Sequence, residues 1–300
     1  MRCHPFLLQE VAAAQDTSDK AVENFDGVLM SHLGYAFTNA ARSFFHGITG
    51  GLLASVPGDN DTTGYYRRLS VQSASFSFLA DVTLLILGGA LKRREKLSGR
   101  FADAMSYMFL ASGALKHFED SGSPAEDLPL LDWAMQHSIF ETQEALDGIL
   151  RNFPVPFLGG ALRLLVFPLG RRQRRPDDRL GHRVADLLIQ PGEARDRLTA
   201  GIYMSNDPDD ITGCLEVALE KAIATEDLRK RLRKSGLEQR ADESFEDWLQ
   251  NRVDAGDITN EEAAELQITH ALVRRVIDVD DFDPDEVRGV AAKPHAKAVA

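Results

Sequence analysis

Phe76–Glu119, FSFLADVTLLILGGALKRREKLSGRFADAMSYMFLASGALKHFE, decides the fold. From Phe76 to Leu91 only Ser77, Asp81 and Thr83 interrupt an apolar run. A helix that is apolar on nearly all sides is buried on nearly all sides. This predicts a core helix contributing Leu79, Val82, Leu85 and Ile86. A second helix is predicted from Ser98 to Phe118. There Phe101, Met105, Met108, Phe109, Ser112 and Leu115 recur at spacings of three and four, the signature of one apolar face. Leu110 is assigned to the core as well. Between the two helices Lys92-Arg93-Arg94-Glu95-Lys96 forms a charged collar that cannot enter a core unpaired. A buried helix followed by an amphipathic one is the seed of a helical bundle.

Working outward, Met1 to Gln15 starts abruptly. Pro5 suits a first helical turn, and Phe6, Leu7, Leu8 and Val11 continue it. The start reads as lying inside something longer. Asp19 to Leu33 is amphipathic, Gly34 is expected to interrupt it, and a further helix is expected from Tyr35 to Leu53. Pro57-Gly58-Asp59-Asn60 is a turn. Downstream, Ser123, Pro124 and Glu126 match a capping box with proline at the first helical position. The helix they open is expected to reach Leu150 and to bury Leu130, Leu131, Ala134, Ile139 and Leu146. Pro154 and Pro156 then break it. Pro176-Asp177-Asp178 starts a helix through Ile189, which Pro191-Gly192 ends. Short helices follow at Leu215–Ala224, Leu228–Leu232, Phe245–Val253 and Asn260–Ile277, the last opened by a Thr259/Glu262 capping box. No strand ladder is visible, so the fold class is all-α. Five segments are expected: a helical segment 1–56, a central bundle 57–152, an apolar and arginine-rich segment 153–190, short charged helices 191–288, and a disordered tail 289–300.

The 300 residues are 44% hydrophobic and 27% charged, which suits a globular chain with a real core. A net charge of −12 argues against a general nucleic-acid binder. Arginine is nevertheless concentrated at positions 163, 171, 172, 174, 175, 179 and 183. Cys3 and Cys214 form no disulfide framework, which points to a reducing compartment. His4, Gln9 and Glu10 break any secretory apolar stretch. Phe76–Leu91 reaches only about 24 Å as a helix and carries Asp81, so it falls short of a membrane span.

Candidate chemistry is sparse. No His-x-x-x-His or Cys-x-x-Cys spacing occurs, and His32, His46, His117 and His137 read as surface or satisfied core histidines. The pairs Gly50-Gly51, Gly88-Gly89 and Gly159-Gly160 follow no strand, so they suit close helix packing rather than a phosphate cradle. The aspartates at 278, 280, 281, 283 and 285 fail the calcium-loop pattern, because Phe282 and Asp283 occupy ligand and glycine positions. Asp81, inside an apolar helix, needs a partner or a raised pKa.

Phe157–Arg175 carries the strongest signal. Phe157, Leu158, Leu162, Leu165, Val166 and Phe167 form an apolar face, and Arg171, Arg172, Arg174 and Arg175 follow it. That order suits a segment lying in the headgroup zone of an anionic membrane. A core helix followed by an arginine-rich loop, paired with acidic parts of the same protein, fits equally well.

Several long motifs carry a family resemblance. They are His4-Pro5-Phe6, Asn39-Ala-Ala-Arg-Ser-Phe-Phe, Leu79-Ala-Asp-Val-Thr through Gly88 to Ser98, Asp127-Leu-Pro-Leu, Asn152-Phe-Pro, Phe167-Pro-Leu-Gly-Arg and Val279-Asp-Asp-Phe-Asp-Pro. Over about Arg2 to Glu286 the chain resembles the C-terminal region of long bacterial acyl-coenzyme A dehydrogenases of the FadE type. The resemblance implies a flavin-dependent portion upstream, in which a glutamate removes the α proton of an acyl-CoA while hydride passes to FAD. That glutamate precedes the His-Pro-Phe motif, so no catalytic, flavin-binding or metal residue is assigned within this chain. The expectation is a C-terminal helical domain acting in fatty-acid β-oxidation, with the missing catalytic portion as its partner. It would reside in the bacterial cytoplasm at the inner face of the membrane. The alternative is a non-catalytic interaction or membrane-docking module.

Overall fold

The computed structural model describes residues 4–57, 61–205, 207 and 210–278. They form twelve α-helices and no strand, an all-α fold. Contacts divide the chain into two units, Met1–Ala185 and Asp186–Ala300. The acidic run from Val279 and the expected tail lie outside the described residues.

In the first unit α1 (Leu7–Ala14) packs on the long α2 (Ala21–Thr49). Next come α3 (Thr63–Leu87), which a 3-10 turn continues over Gly88–Arg93, α4 (Glu95–Asp120), α5 (Leu128–Arg151) and α6 (Pro156–Val166). The packing runs α2 on α3, α3 on α4 and α5, α4 on α5, and α6 on both α2 and α5. One core cluster holds Phe78, Leu79, Leu146, Ile149, Leu162 and Val166. A second holds Ala111, Leu115, Leu131, Met135 and Ile139 between α4 and α5. Gly159 explains how α6 reaches α5, because a Cβ there would stand 2.6 Å from the Leu150 carbonyl oxygen.

The structure corrects several local expectations. Leu79 is fully buried and Val82 packs on the core, but Leu85 is 75% exposed, Leu110 is 59% exposed, and Ile86 is 37% exposed. An all-apolar helix does not reveal which side its neighbours cover. The buried face of α4 is Leu97, Ala104, Ala111, Leu115 and Phe118, while Met105 and Phe109 point outward. Ala104 and Ala111 on that face leave room for the close packing of α4 on α5. Gly34 does not interrupt α2, which runs unbroken to Gly50, where a left-handed φ of 63° ends it. A mid-helix glycine costs only about 1 kcal/mol, which packing along a 29-residue helix absorbs. Ser123 does not cap α5. It sits at φ 55° and donates its N–H to the Phe118 carbonyl, so Gly122-Ser123 terminate α4, and α5 starts at Leu128 after a 3-10 turn. Leu130 and Ala134 are only partly buried, whereas Leu131, Ile139 and Leu146 are fully inside. Finally, α3 with its 3-10 extension, Thr63–Arg93, is long and apolar enough to cross a membrane by length and composition alone. It packs on α2, α4 and α5 and carries the buried, hydrogen-bonded Asp81, while a third of its most apolar stretch is buried.

A short helix α7 (Asp178–Ile189) leads from the first unit into the second. The second unit holds α8 (Glu193–Thr199), α9 (Ile211–Ala224), α10 (Glu226–Lys234), α11 (Phe245–Asp254) and α12 (Asn260–Ile277). Leu232, Trp248, Leu249, Ile258 and Leu266 form its core, and the Trp248 indole donates to the Leu237 carbonyl at 3.0 Å. The Thr259/Glu262 capping box is present in both directions. Arg195 forks onto the two carboxylate oxygens of Glu216 at 2.7 and 2.6 Å, joining α8 to α9.

Candidate functional site

The apolar-plus-arginine segment resolves into a helix and a strap. On α6, Leu162 and Val166 are buried, while Leu158, Leu165 and Phe167 pack against the same cluster. Phe157 is 93% exposed, and Leu164 is also on the outside. Beyond α6 the chain is non-helical over 167–177 and runs back along α5. Alternate residues grip that helix. Arg171 bonds Glu144 at 2.7 Å and Asp147 at 3.2 Å. The Gln173 N–H donates to the Gln143 side-chain oxygen at 2.9 Å, and the Gln143 amide returns a bond to the Gln173 carbonyl. Arg175 bonds Glu141 at 2.9 Å and lies 4.9 Å over the Phe140 ring. The order 171, 173, 175 against 147, 143, 141 makes the strap antiparallel to the helix.

Asp147 anchors this arrangement. It is 1% exposed, and Arg151, Arg163 and Arg171 all bond its two oxygens. A carboxylate this deep is tolerable when it is paired and hydrogen-bonded. Arg172 and Arg174 are exposed and pair with no carboxylate among the described residues. The arginine concentration was visible in the sequence. The acidic stripe Glu141, Glu144, Asp147 on α5 was missed, although its spacing of three was a usable signal.

Beneath the strap lies a cavity of about 290 Å³, lined among others by His46, Arg68, Gln72, Gln143, Phe167 and Arg172. Pro168 closes against α2 at Gly47, where a Cβ would meet the proline ring at 2.8 Å. Behind it Ser43 on α2 and Ser75 on α3 share a hydrogen bond of 2.9 Å. Gln72 donates to the Ile139 carbonyl at 2.6 Å, and its own oxygen has no partner. The Nδ1 of His46 is likewise without a partner. Burial, and then the nearby Arg42, hold the His46 pKa below its ordinary value, so its ring is neutral at pH 7.

A second polar cluster surrounds Asp81, which is 3% exposed. Its partner is His4, whose Nε2 lies 2.6 Å from Oδ1, with His32 Nε2 at 3.8 Å. His32 Nδ1 in turn meets Glu10 at 2.7 Å. The ligand atoms of His4, His32 and Asp81 fall within 4.8 Å of one another, close enough to test for a metal. The donor set argues against one. His4 Nδ1 accepts the backbone N–H groups of Phe6 and Leu7, both at 3.2 Å, so its proton sits on Nε2 and goes to Asp81. A metal at Nε2 would require that nitrogen's lone pair instead. The cluster ties the start of the chain to α2 and α3. Sequence reading saw Asp81's need for a partner but not which residue met it, because 77 positions separate the two.

What fold and site define is a class: an all-α domain built on a four-helix core, with an arginine-bearing strap over a cavity. The chain belongs to the acyl-CoA dehydrogenase family as its C-terminal domain: the model described as acyl-CoA dehydrogenase, C-terminal, bacterial type, matches residues 1–282. No solved structure matches the chain.

Proposed function

We propose that this domain serves an acyl-CoA dehydrogenase of fatty-acid β-oxidation and performs no dehydrogenation by itself. The observation that carries the reading is the family match across nearly the whole chain. In this reading FAD and the catalytic glutamate belong to a flavin-dependent portion, and acyl-CoA meets this domain only within the full enzyme. The described carboxylates near the cavity support it. Glu141, Glu144 and Asp147 are engaged by arginines and are poorly placed to take a proton from a substrate. A surface for the flavin-dependent portion is available on α2, where Met30, Leu33, Phe37, Phe45 and Ile48 recur on one side and stay exposed, Phe37 to 78%. Apolar stripes of this length are normally covered by a partner. The test is flavin content and acyl-CoA-dependent reduction of an artificial electron acceptor by the purified chain. The reading expects neither, and stoichiometric flavin would overturn it.

A second reading, contact with an anionic membrane at the inner face of the cytoplasmic membrane, draws on α6. Phe157 and Leu164 lie exposed on its outer side, and Arg172 and Arg174 follow without carboxylate partners. The burial of Leu162 and the pairing of Arg171 and Arg175 narrow the surface to these four side chains. Two arginines near such a surface are worth about 2 kcal/mol at low salt. Co-sedimentation with anionic vesicles should fall when Phe157, Arg172 and Arg174 are replaced. Equal pelleting of both proteins would remove this reading.

A further inference from the structure

We infer that the end of the first unit where α3 meets α4 and α5 meets α6 docks on an anionic lipid bilayer. The inference takes up the membrane reading but rests on cations that reading does not use, so the two fail separately. Of the large apolar side chains on α3, only Leu85 and Ile86 are exposed, and both stand in its last turn. The chain is likewise buried at Ile149, Leu150 and Phe153, and then exposes Val155 and Phe157 as α6 begins. The two turns share one end of the core. A Cβ on Gly148 would stand 2.9 Å from the Arg100 side chain, which sets the end of α5 beside the start of α4. Leu87, Leu91 and Leu158 pack on the same cluster as Leu97, Leu150 and Phe153. Leu85, Ile86, Val155 and Phe157 are therefore gathered at one tip of the unit.

The charged collar stands beside them. Lys92, Arg93, Arg94 and Lys96 are all exposed, and none has a carboxylate partner among the described residues. Glu95 is the one acid in the run. The backbone that carries them is held: Leu97 is buried, the Ser98 hydroxyl donates to the Glu95 carbonyl at 3.1 Å, and Arg100 donates to the Lys96 carbonyl at 3.2 Å. Helix electrostatics do not account for the run. Lys92 and Arg93 close the 3-10 turn that prolongs α3, where cations are favoured, but Arg94 and Lys96 stand at the start of α4, where they oppose the helix dipole. Other arginines of this acidic chain are taken up by carboxylates, as at Asp147 and Glu216. Apolar tips beside unpaired cations are what shallow insertion into an anionic headgroup layer requires, with the tips entering the acyl boundary while the cations meet phosphate. A nucleic-acid backbone would engage the cations but give Leu85 and Phe157 no use. A net charge of −12 opposes approach by acidic surfaces of the chain and favours approach by this end.

The experiment floats the 300-residue chain on phosphatidylcholine vesicles with and without phosphatidylglycerol at low salt. The unaltered chain is compared with three variants. The collar variant carries Lys92→Gln, Arg93→Gln, Arg94→Gln and Lys96→Gln together, the tip variant carries Leu85→Ser with Phe157→Ser, and the strap variant carries Arg172→Gln with Arg174→Gln. The expected result is binding that requires phosphatidylglycerol, is weakened about tenfold or more in the collar and tip variants, and is kept in the strap variant. Leu85→Trp gives a readout that a merely structural role would not move. Relative to the unaltered chain, its emission should shift to the blue on phosphatidylglycerol vesicles and stay unshifted with heparin, a soluble polyanion. No binding to phosphatidylglycerol vesicles, binding unaffected by the collar or the tip variant, or an equal loss from the strap variant overturns the proposal. A loss confined to the strap variant removes this surface and leaves the one on α6 standing. Every replaced side chain is exposed, and circular dichroism of each variant separates lost binding from lost folding.

Discussion

At Asp147 three arginines meet one buried carboxylate, and the cost of removing it can be bounded. Breaking a buried ion pair from one side costs about 3 kcal/mol. The three guanidinium groups here keep partial access to water, so Asp147→Ala is expected at or a little below that figure. Urea denaturation should show it as a lowered midpoint with unchanged slope. A loss under about 0.5 kcal/mol, the level of an ordinary surface change, would mean the network is incidental. In the second unit the Arg195 fork holds the Glu216 carboxyl below its ordinary value of 4.5. A folded value below the unfolded one stabilises above the unfolded pKa and is lost as pH falls through the folded value. Glu216→Gln should therefore lower stability at neutral pH and flatten the acid side of the stability profile. An unchanged acid limb would show that the pair contributes nothing.

At the scale of elements, the contact of α6 with α5 rests on Gly159. Gly159→Ala places a Cβ 2.6 Å from the Leu150 carbonyl oxygen and 3.1 Å from the Phe153 Cβ. Backbone cannot yield as a flexible side chain does, so α6 must shift, at a cost of about 1–3 kcal/mol. The strap starts where α6 ends, so proteolysis within 167–177 should speed up in the same variant; unchanged protection would uncouple the two. Elements were legible in the sequence where their signals are local. The start of α12 follows from Thr259 and Glu262, which act within one turn. The break before α6 follows from Pro154 and Pro156, which restrict the chain wherever they stand. The outward side of α3 was not legible, because Leu85 and Leu79 differ only in which neighbour lies over them. Ser123 misled for a related reason. A serine before proline suits a helix start, but the end of α4 used the same residues first. The arginines of the strap were legible as a charge cluster, while their division into 171 and 175 against 172 and 174 depends on α5, more than twenty positions earlier.

At the scale of the whole molecule, each of the two units has a helical core, and apolar side chains stay exposed outside it. The stripe on α2 from Met30 to Ile48 is one such set, and changing Leu33 and Phe37 to Ser should leave folding intact because both are exposed. The central claim is that this domain works with a flavin-dependent portion and not without it. The most direct measurement is acyl-CoA-dependent reduction of an electron acceptor by the purified 300-residue chain, alone and mixed with the flavin-bearing portion of a FadE-type dehydrogenase that lacks its own C-terminal region. The account predicts no turnover and no stoichiometric flavin from the chain alone, and turnover that rises on mixing and falls with the α2 variant. Turnover by the chain alone, or flavin bound at one per chain, would contradict it.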